Sequence, residues 1–185
     1  MPPDASDTKR RILTAARSEF AQSGFAGARI DRIAEQARAN KRSIYVHFGP
    51  KEQLFDIVVA GVLSEMAEAV HFTPDDLPGY AAQLHDYLAH APDTMRLMSW
   101  ANLERPTSTT DEVATYRAKI DALGHRFGGR EPEVLALILG LVTSAFHSSP
   151  ALWAAAQVAP RPPRSTTTRL LRDSVSAVLA AALEA

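Results

Sequence analysis

The sequence contains no cysteine, no long uninterrupted hydrophobic run and almost no net charge. Without cysteine, neither a disulfide framework nor a thiolate metal site can form. The longest apolar run, over residues 134–142, is too short to span a bilayer. The first residues are polar and acidic, where a signal peptide would be basic and then apolar. These absences predict a cytoplasmic protein with no membrane partner.

The common enzyme motifs are also missing. The sequence has no phosphate-binding glycine loop, no Gly-x-Ser-x-Gly elbow and no zinc-binding helix motif. His85 and His90 are five residues apart and fall on different faces of a predicted helix, so they do not form the i, i+4 pair that shares a metal. We therefore expect neither catalysis nor a bound metal or cofactor.

The charges that are present are distributed unevenly along the 185 residues. Residues 1–51 carry ten lysines and arginines against five acidic residues, whereas residues 52–185 carry ten against sixteen. A basic head on an acidic body is the layout expected when only one end of a protein meets phosphate. The 46% hydrophobic content is enough for a buried core.

Apolar residues recur with the helical period almost everywhere, and no stretch shows sustained strand alternation, which predicts an all-α fold of about nine helices. The first helix should stop at Gly24. Two short helices should follow over residues 30–37 and 41–47, the second with Asn40 as its N-cap. The first helix is expected to begin behind one of three possible caps: Ser6, Asp7 or Thr8.

Prolines and glycines divide the remaining helices. Pro50 can occupy the first position of a long helix that runs to about Val70. The proline-rich residues 160–164 predict a stiff surface loop. No flexible linker separates the basic head from the acidic body, so we expect head and body to pack together. Further helices are expected over residues 93–104, 111–127, 131–147 and 166–183.

Two short helices joined by a tight turn and braced by a third are the helix-turn-helix arrangement of DNA-binding proteins. The residues from Gly24 to Leu54 resemble the N-terminal domain of the TetR family of bacterial repressors. The resemblance covers about residues 8–55, with these residues in register: Ile33-Ala34, Tyr45, His47-Phe48 and Lys51-Glu52-x-Leu54. It implies a DNA-binding domain over residues 1–50 and a ligand-binding and dimerisation domain over residues 51–185.

A helix that reads the major groove must be short, begin at a cap and present hydrogen-bond donors on its exposed side. Arg42 offers a fork of donors for base edges or phosphate, Lys41 offers a point charge for phosphate, and Ser43 can donate to either. Lys51 adds its charge to the free amides at the start of the next helix, which favour an anion. The predicted DNA-binding residues are Arg29, Asn40, Lys41, Arg42, Ser43, Tyr45, His47 and Lys51.

Three arginines stand where the family pattern has small residues. Arg38 occupies the turn position that is usually glycine, and a left-handed backbone there would cost about 1–2 kcal/mol. Ala28-Arg29 replaces a capping pair of threonine and serine or threonine, and our hypothesis is that Arg29 takes over the phosphate contact. Arg42 replaces a frequent glycine, and we expect the added cation to alter base preference.

The resemblance further implies a ligand pocket and a four-helix dimer interface made by helices 131–147 and 166–183. The expected function is that of a repressor that binds a near-palindromic double-stranded DNA operator as a homodimer and is released by an unknown hydrophobic or amphipathic effector. Two alternatives stay open: both helices could fill only one subunit's core, and the protein could be a sensor or adaptor without DNA-binding activity. The pocket candidates are Met66, Tyr87, Met98, Trp100, Asn102, Tyr116, Phe146 and His147.

Overall fold

The computed structural model describes residues 5–105, 107–155 and 164–184. Over these residues the protein contains only helices, which confirms the predicted all-α class. No helix among them combines the length and the hydropathy that a membrane crossing requires. The ten helices are α1 (Ala5–Gly27), α2 (Ile30–Gln36), α3 (Lys41–Phe48), α4 (Lys51–Ala69), α5 (Leu77–His90), α6 (Pro92–Glu104), α7 (Thr110–Leu123), α8 (Glu131–His147), α9 (Pro150–Ala155) and α10 (Arg164–Glu184).

The chain divides into two compact units. Unit 1 comprises Met1–Met66 and Ala91–Glu112, and unit 2 comprises Ala67–His90 and Val113–Ala185. Unit 1 therefore contains α1 to α3, most of α4 and, from later in the chain, α6. The predicted boundary after residue 50 does not coincide with this division, and the functional division of the chain stays a prediction.

Unit 1 is built around a core of aliphatic and aromatic side chains. The rings of Phe20 and Phe55 meet edge to face, with their centroids 4.9 Å apart. Ile33, Ile44 and Leu97 are each 0% exposed and belong to the same cluster, so α2, α3 and α6 all bury a face against it. Burial of this kind holds the two short helices, which would not be stable alone.

The start of α1 differs from the prediction. Because the helix begins at Ala5, the proposed caps Ser6, Asp7 and Thr8 lie within its first turn and the capping prediction was wrong. The Asp7 carboxylate instead pairs with the guanidinium groups of Arg10 and Arg11. Pairs at these helical spacings stabilise the first turn.

The predicted stop at Gly24 is a real break in helical geometry. Gly24 has φ 70° and ψ −179°, and one more turn follows to Gly27. A residue with a Cβ would be strained at this φ.

Later helix boundaries agree with the prediction in some places and not in others. The span of α8 is confirmed at both ends, but α7 ends at Leu123 rather than at residue 127, because Gly124 takes a φ of 64°. Pro50 precedes α4 and accepts the Leu54 N–H at 3.1 Å, which is the bond made by a capping residue. Of the predicted loop over residues 160–164, only Arg164 lies within the described residues, and it begins α10.

Unit 2 is formed mainly by α5, α8 and α10, which pack against one another. Ile138 of α8 and Val175 of α10 are 0% exposed. The His85 Nδ1 lies 2.9 Å from the carbonyl oxygen of Val142, and Arg130 donates to the carbonyl of Ala182 at 2.7 Å. These contacts join all three helices.

Candidate nucleic-acid interface

The turn between α2 and α3 is held in a strained conformation. Arg38 has φ 49°, the left-handed backbone that the sequence comparison with the family pattern suggested. Arg11 of α1 donates to the carbonyl oxygens of Ala37 at 2.8 Å and of Arg38 at 3.3 Å. Because these bonds tie the turn to the neighbouring helix, they help to fix the angle between α2 and α3.

Asn40 caps α3, as predicted. Its side-chain oxygen accepts the backbone N–H of Arg42 at 2.8 Å, which satisfies one of the free donors at the start of the helix. Ile44 and Phe48 are 0% and 8% exposed and seat the helix on the core.

The opposite side of α3 faces solvent. Arg42 is exposed, Tyr45 is 46% exposed and Val46 is 71% exposed. Ser43 and His47 are half-buried at the edges of this surface, with the His47 ring 6.2 Å from the Phe48 ring. Donors and one apolar side chain therefore lie together on the face that could enter a groove. We call the exposed side of α3 the reading face.

Lys41 has an acidic partner that the sequence did not reveal. Its ammonium lies 2.8 Å from the carboxylate of Asp31 in α2, and both side chains are exposed. The hydrogen bond and the charge of Asp31 raise the pKa of Lys41. The pair partly neutralises a cation that was predicted to meet phosphate, so a phosphate would have to compete with Asp31 for it.

Arg29 precedes α2 in an extended conformation, with its side chain exposed. It caps the helix through no side-chain hydrogen bond of its own. Instead, the buried carboxylate of Glu19 accepts the Arg29 backbone N–H at 3.0 Å and lies 3.5 Å from the Arg32 guanidinium. Glu19 thus accepts from α1 the N–H of the N-cap residue, which is the part that a glutamate at the third helical position plays in a capping box, and the Arg29 side chain stays exposed.

Glu19 could have been found from the sequence, because it places a carboxylate on the apolar stripe of the first helix. It lies three residues after Ala16, a buried position, and is itself only 2% exposed. A buried acid must be paired or hydrogen-bonded, so its position indicates a partner even where the partner is unknown.

Lys51 is placed at the start of α4, as predicted, but its ammonium is turned toward the end of α1. It donates to the carbonyl oxygens of Ala28 at 2.8 Å and Ala26 at 3.3 Å and lies 4.8 Å from the centroid of the Phe25 ring. An ammonium has three donors, so one is left for an anion. Lys51 therefore holds the residues that lead into α2, and its phosphate contact stays a prediction.

The last turns of α6 brace the break in α1. The Glu104 carboxylate accepts the backbone N–H groups of Phe25 and, at 3.4 Å, of Ala26. A Cβ added to Gly24 would lie 2.8 Å from the same carboxylate and 3.0 Å from Trp100. No local sequence signal could have revealed this contact, because its two sides are far apart in the chain.

Arg105, just after α6, is a second junction in unit 1. Its guanidinium donates to Asp56 of α4 at 3.2 Å and to Glu112 at 2.5 Å. Burial raises the pKa of Glu112, but the hydrogen bonds from Arg105 and Thr109 outweigh it and hold that pKa below its usual range. The ion pairs fix α4 to the residues that follow α6.

The eight pocket candidates fall into both units. In unit 1, Met66 is buried, Trp100 packs against the core, Met98 is half-buried and Asn102 is exposed. The other four lie in unit 2: Tyr87, Tyr116, Phe146 and His147. Trp100 is thus occupied in bracing α1, and the lining of a ligand pocket stays a prediction.

Unit 2 also contains a lysine set among aromatic rings. The Lys119 ammonium lies 3.1 Å from the Tyr80 hydroxyl and within 5.9 Å of the ring centroids of Phe72, Tyr80 and Tyr116. Burial lowers the pKa of Lys119 and raises the pKa of Tyr80 to about 12. Sequence reasoning singled out Tyr116 but not the lysine beside it.

Two family models match the chain. Residues 12–58 match "Bacterial regulatory proteins, tetR family", and residues 76–176 match "Tetracyclin repressor-like, C-terminal domain". The chain belongs to the TetR family. The second model alone covers more than half of the sequence, and the first covers α2 and α3 whole, so the reading face lies in the family's N-terminal domain.

Individual relatives agree with this assignment. The HTH-type transcriptional repressor SCO4008 of Streptomyces coelicolor is 46% identical over 105 residues, which are 57% of this chain and 55% of that protein. The HTH-type transcriptional repressor NicS of Pseudomonas putida is 33% identical over 108 residues, which are 55% of this chain and 51% of that protein. The chain thus matches these relatives over about half of their length.

A solved structure is similar over nearly the whole chain. The transcriptional regulator SCO4942 of Streptomyces coelicolor superposes with a TM-score of 0.78 at 37% identity, covering 92% of this chain and 97% of that one. The similarity therefore extends over both units.

Proposed function

We propose that this protein is a transcriptional repressor that binds a near-palindromic DNA operator as a dimer and is released by a small hydrophobic or amphipathic molecule. The observation that carries the proposal is the reading face of α3. Asn40 caps the helix, Ile44 and Phe48 hold it, and Arg42 is exposed on its outer side. A capped helix that presents cationic donors in this way suits the major groove. The relatives named as repressors support repression as the direction of control.

Residues 1–50 would bind DNA, and residues 51–185 would bind the effector and form the dimer. The separate family-model matches over residues 12–58 and 76–176 support two functional parts. Cytoplasmic action follows from this proposal, because the operator lies there in a bacterium.

The dimer would form through α8 and α10. Both helices bury one face within unit 2, yet each also exposes leucines: Leu137 is 56%, Leu170 66% and Leu183 56% exposed. Exposed apolar residues on two neighbouring helices favour a second copy as the partner over a purely internal role. The α3 helices of the two subunits, spaced by about 34–36 Å or one helical turn of DNA, would then match the two half-sites of a near-palindromic operator.

The proposed effector pocket belongs to unit 2. We infer that the four candidates of unit 2, Tyr87, Tyr116, Phe146 and His147, line it together with the ring-lined Lys119 of the same unit. Rings beside an ammonium and a phenol would suit a molecule with an apolar body and a polar end. This chemistry supports an amphipathic effector.

The DNA-binding part is tested with Arg42→Ala. A duplex enriched by the full-length protein from a randomised library serves as the probe, and affinity is measured by fluorescence anisotropy at several salt concentrations. Loss of a base or phosphate contact by a guanidinium is expected to weaken binding by about fivefold or more. If phosphate is the partner, the salt dependence should also fall by about one counterion for each half-site of the dimer's operator.

Arg117→Ala is the matched control, because Arg117 is an exposed arginine of α7 outside the reading face. It should bind as the wild type does. Equal affinities for Arg42→Ala and Arg117→Ala would contradict the proposed reading face. Failure of the wild type to enrich any duplex at low salt would favour the adaptor without DNA-binding activity.

A further inference from the structure

Val46 has no structural reason to be apolar within the described part of the protein. It is 71% exposed in the last turn of α3, whereas Ile44 and Phe48, two residues to either side, are 0% and 8% exposed. A β-branched side chain in solvent gains nothing from burial and favours the helix less than alanine would. Its residue type is therefore set neither by the core nor by helix propensity.

The helical period places Val46 at the centre of the reading face. Each residue turns the helix by about 100°, so the residues two before and two after lie about 160° away on either side. The buried pair Ile44 and Phe48 therefore points directly away from Val46. When α3 enters a groove with this face leading, Val46 penetrates furthest.

The neighbours of Val46 are polar. Arg42, one turn earlier, and Tyr45 are both exposed and carry hydrogen-bond donors. Donors at these positions can bind base edges or phosphates, whereas the valine side chain can form no hydrogen bond with either. In the major groove the apolar feature of a base edge is the C5 methyl group of thymine.

We propose that Val46 recognises a thymine in each half-site of the operator by packing against its C5 methyl group. The inference rests on the proposed DNA-binding function and assigns a base preference within it. Sequence reasoning missed this residue because it selected side chains that donate hydrogen bonds.

The experiment removes only the methyl group. The duplex enriched by the wild-type protein is synthesised with each thymine in turn replaced by deoxyuridine, at symmetric positions in both half-sites, and affinities are measured for the full-length protein. Burial of one methyl group predicts a loss of about three- to fivefold per half-site at one thymine position. The other replacements should change affinity by less than about twofold.

Val46→Ala is expected to bind the deoxyuridine duplex and its parent with affinities within about twofold of each other, because the two Cγ methyl groups that reach the thymine are gone. Val113→Ala removes the same atoms from a valine of α7 that is 48% exposed, and it should keep the full wild-type sensitivity. Thermal unfolding of both variants confirms that they are folded.

Two results would overturn the inference while leaving the proposed function in place. The wild type could bind every deoxyuridine duplex as tightly as the parent, or Val46→Ala could retain the same sensitivity to one replacement. If no duplex is enriched at all, the proposed function fails and this inference fails with it.

Discussion

At the scale of single residues, Arg38 shows how the protein combines a cation with an unfavourable backbone. Its φ of 49° is one that glycine adopts without strain, and a side chain there costs about 1–2 kcal/mol. The Arg11 guanidinium holds the turn by donating to the carbonyl oxygens of Ala37 and Arg38. The strain is therefore offset by contacts from α1, and the Arg38 side chain stays exposed in the turn before α3.

Arg38→Gly should raise the free energy of unfolding by up to about 1 kcal/mol. The substitution relieves the left-handed strain, and the greater freedom of glycine in the unfolded chain offsets part of the gain. Arg38→Ala removes the same charge but keeps the Cβ, so it should show no such gain. Urea unfolding of the two variants measures the difference, and an alanine variant as stable as the glycine one would refute the strain argument.

Residue-level predictions succeeded where the signal was local. The cap at Asn40 depends on a few adjacent residues and is confirmed. The left-handed backbone at Arg38 was considered because the family pattern has glycine there, and it is observed. The partners of Lys41 and Arg29 were missed because Asp31 and Glu19 reach them from other helices. Side-chain contacts between helices depend on packing angles, which the apolar pattern does not specify.

At the scale of helices, α8 presents two different surfaces. One side is buried through residues such as Ile138, and the other exposes Leu137 and Gly140. A glycine inside an exposed helix costs about 0.8–1 kcal/mol relative to alanine, and an added Cβ at Gly140 would meet nothing within 4 Å. The subunit itself gives no reason for this glycine, whereas a closely packed partner helix would.

Gly140→Arg should therefore stabilise the subunit slightly and yet disrupt the proposed dimer. A long cation would occupy the space that the partner helix needs, so light scattering after gel filtration should report a monomer. Gly61→Arg is the control, because Gly61 is also exposed in a helix, with open space around its Cβ position. It should remain a dimer; an unchanged dimer for Gly140→Arg would place the interface elsewhere.

Helix spans were predictable wherever the apolar period ran long and ended at proline or glycine. Glu131-Pro132 opens α8, and its span was correct at both ends. The end of α7 was misplaced because Gly124 already takes a left-handed φ of 64°, ahead of the glycine pair at residues 128 and 129 that was expected to end the helix. The six residues of α9 are too few to show a period, so that helix was missed.

At the scale of the whole molecule, the reading face belongs to unit 1, which is discontinuous in sequence. The helices α5 and α6 are separated only by Ala91, but α5 belongs to unit 2 and α6 to unit 1. The apolar pattern cannot reveal this, since it indicates that a helix has a buried face but not which neighbour covers it. The family resemblance predicted the order of functions along the chain, not the place of α6.

Amide hydrogen exchange should show that α6 opens together with α1 rather than with α5. Leu97→Ala, at a position that is 0% exposed, is expected to lower the opening free energies in α1 and α6 by about 2–5 kcal/mol. Leu84→Ala, at a position of α5 that is 3% exposed, should act mainly on α5, α8 and α10. Equal effects of both variants on every helix would mean that the described helices open as one unit.

The contact between Gly24 and Glu104 also restricts how the sequence can diverge. Position 24 needs a residue without a side chain, both for its φ of 70° and because the carboxylate of Glu104 and the Trp100 ring fill the space beside it. Position 104 needs an acceptor that reaches the amides of Phe25 and Ala26. The two sites are therefore not independent in evolution, and a domain exchange that takes the first helices from one relative and α6 from another would have to carry both halves of this contact.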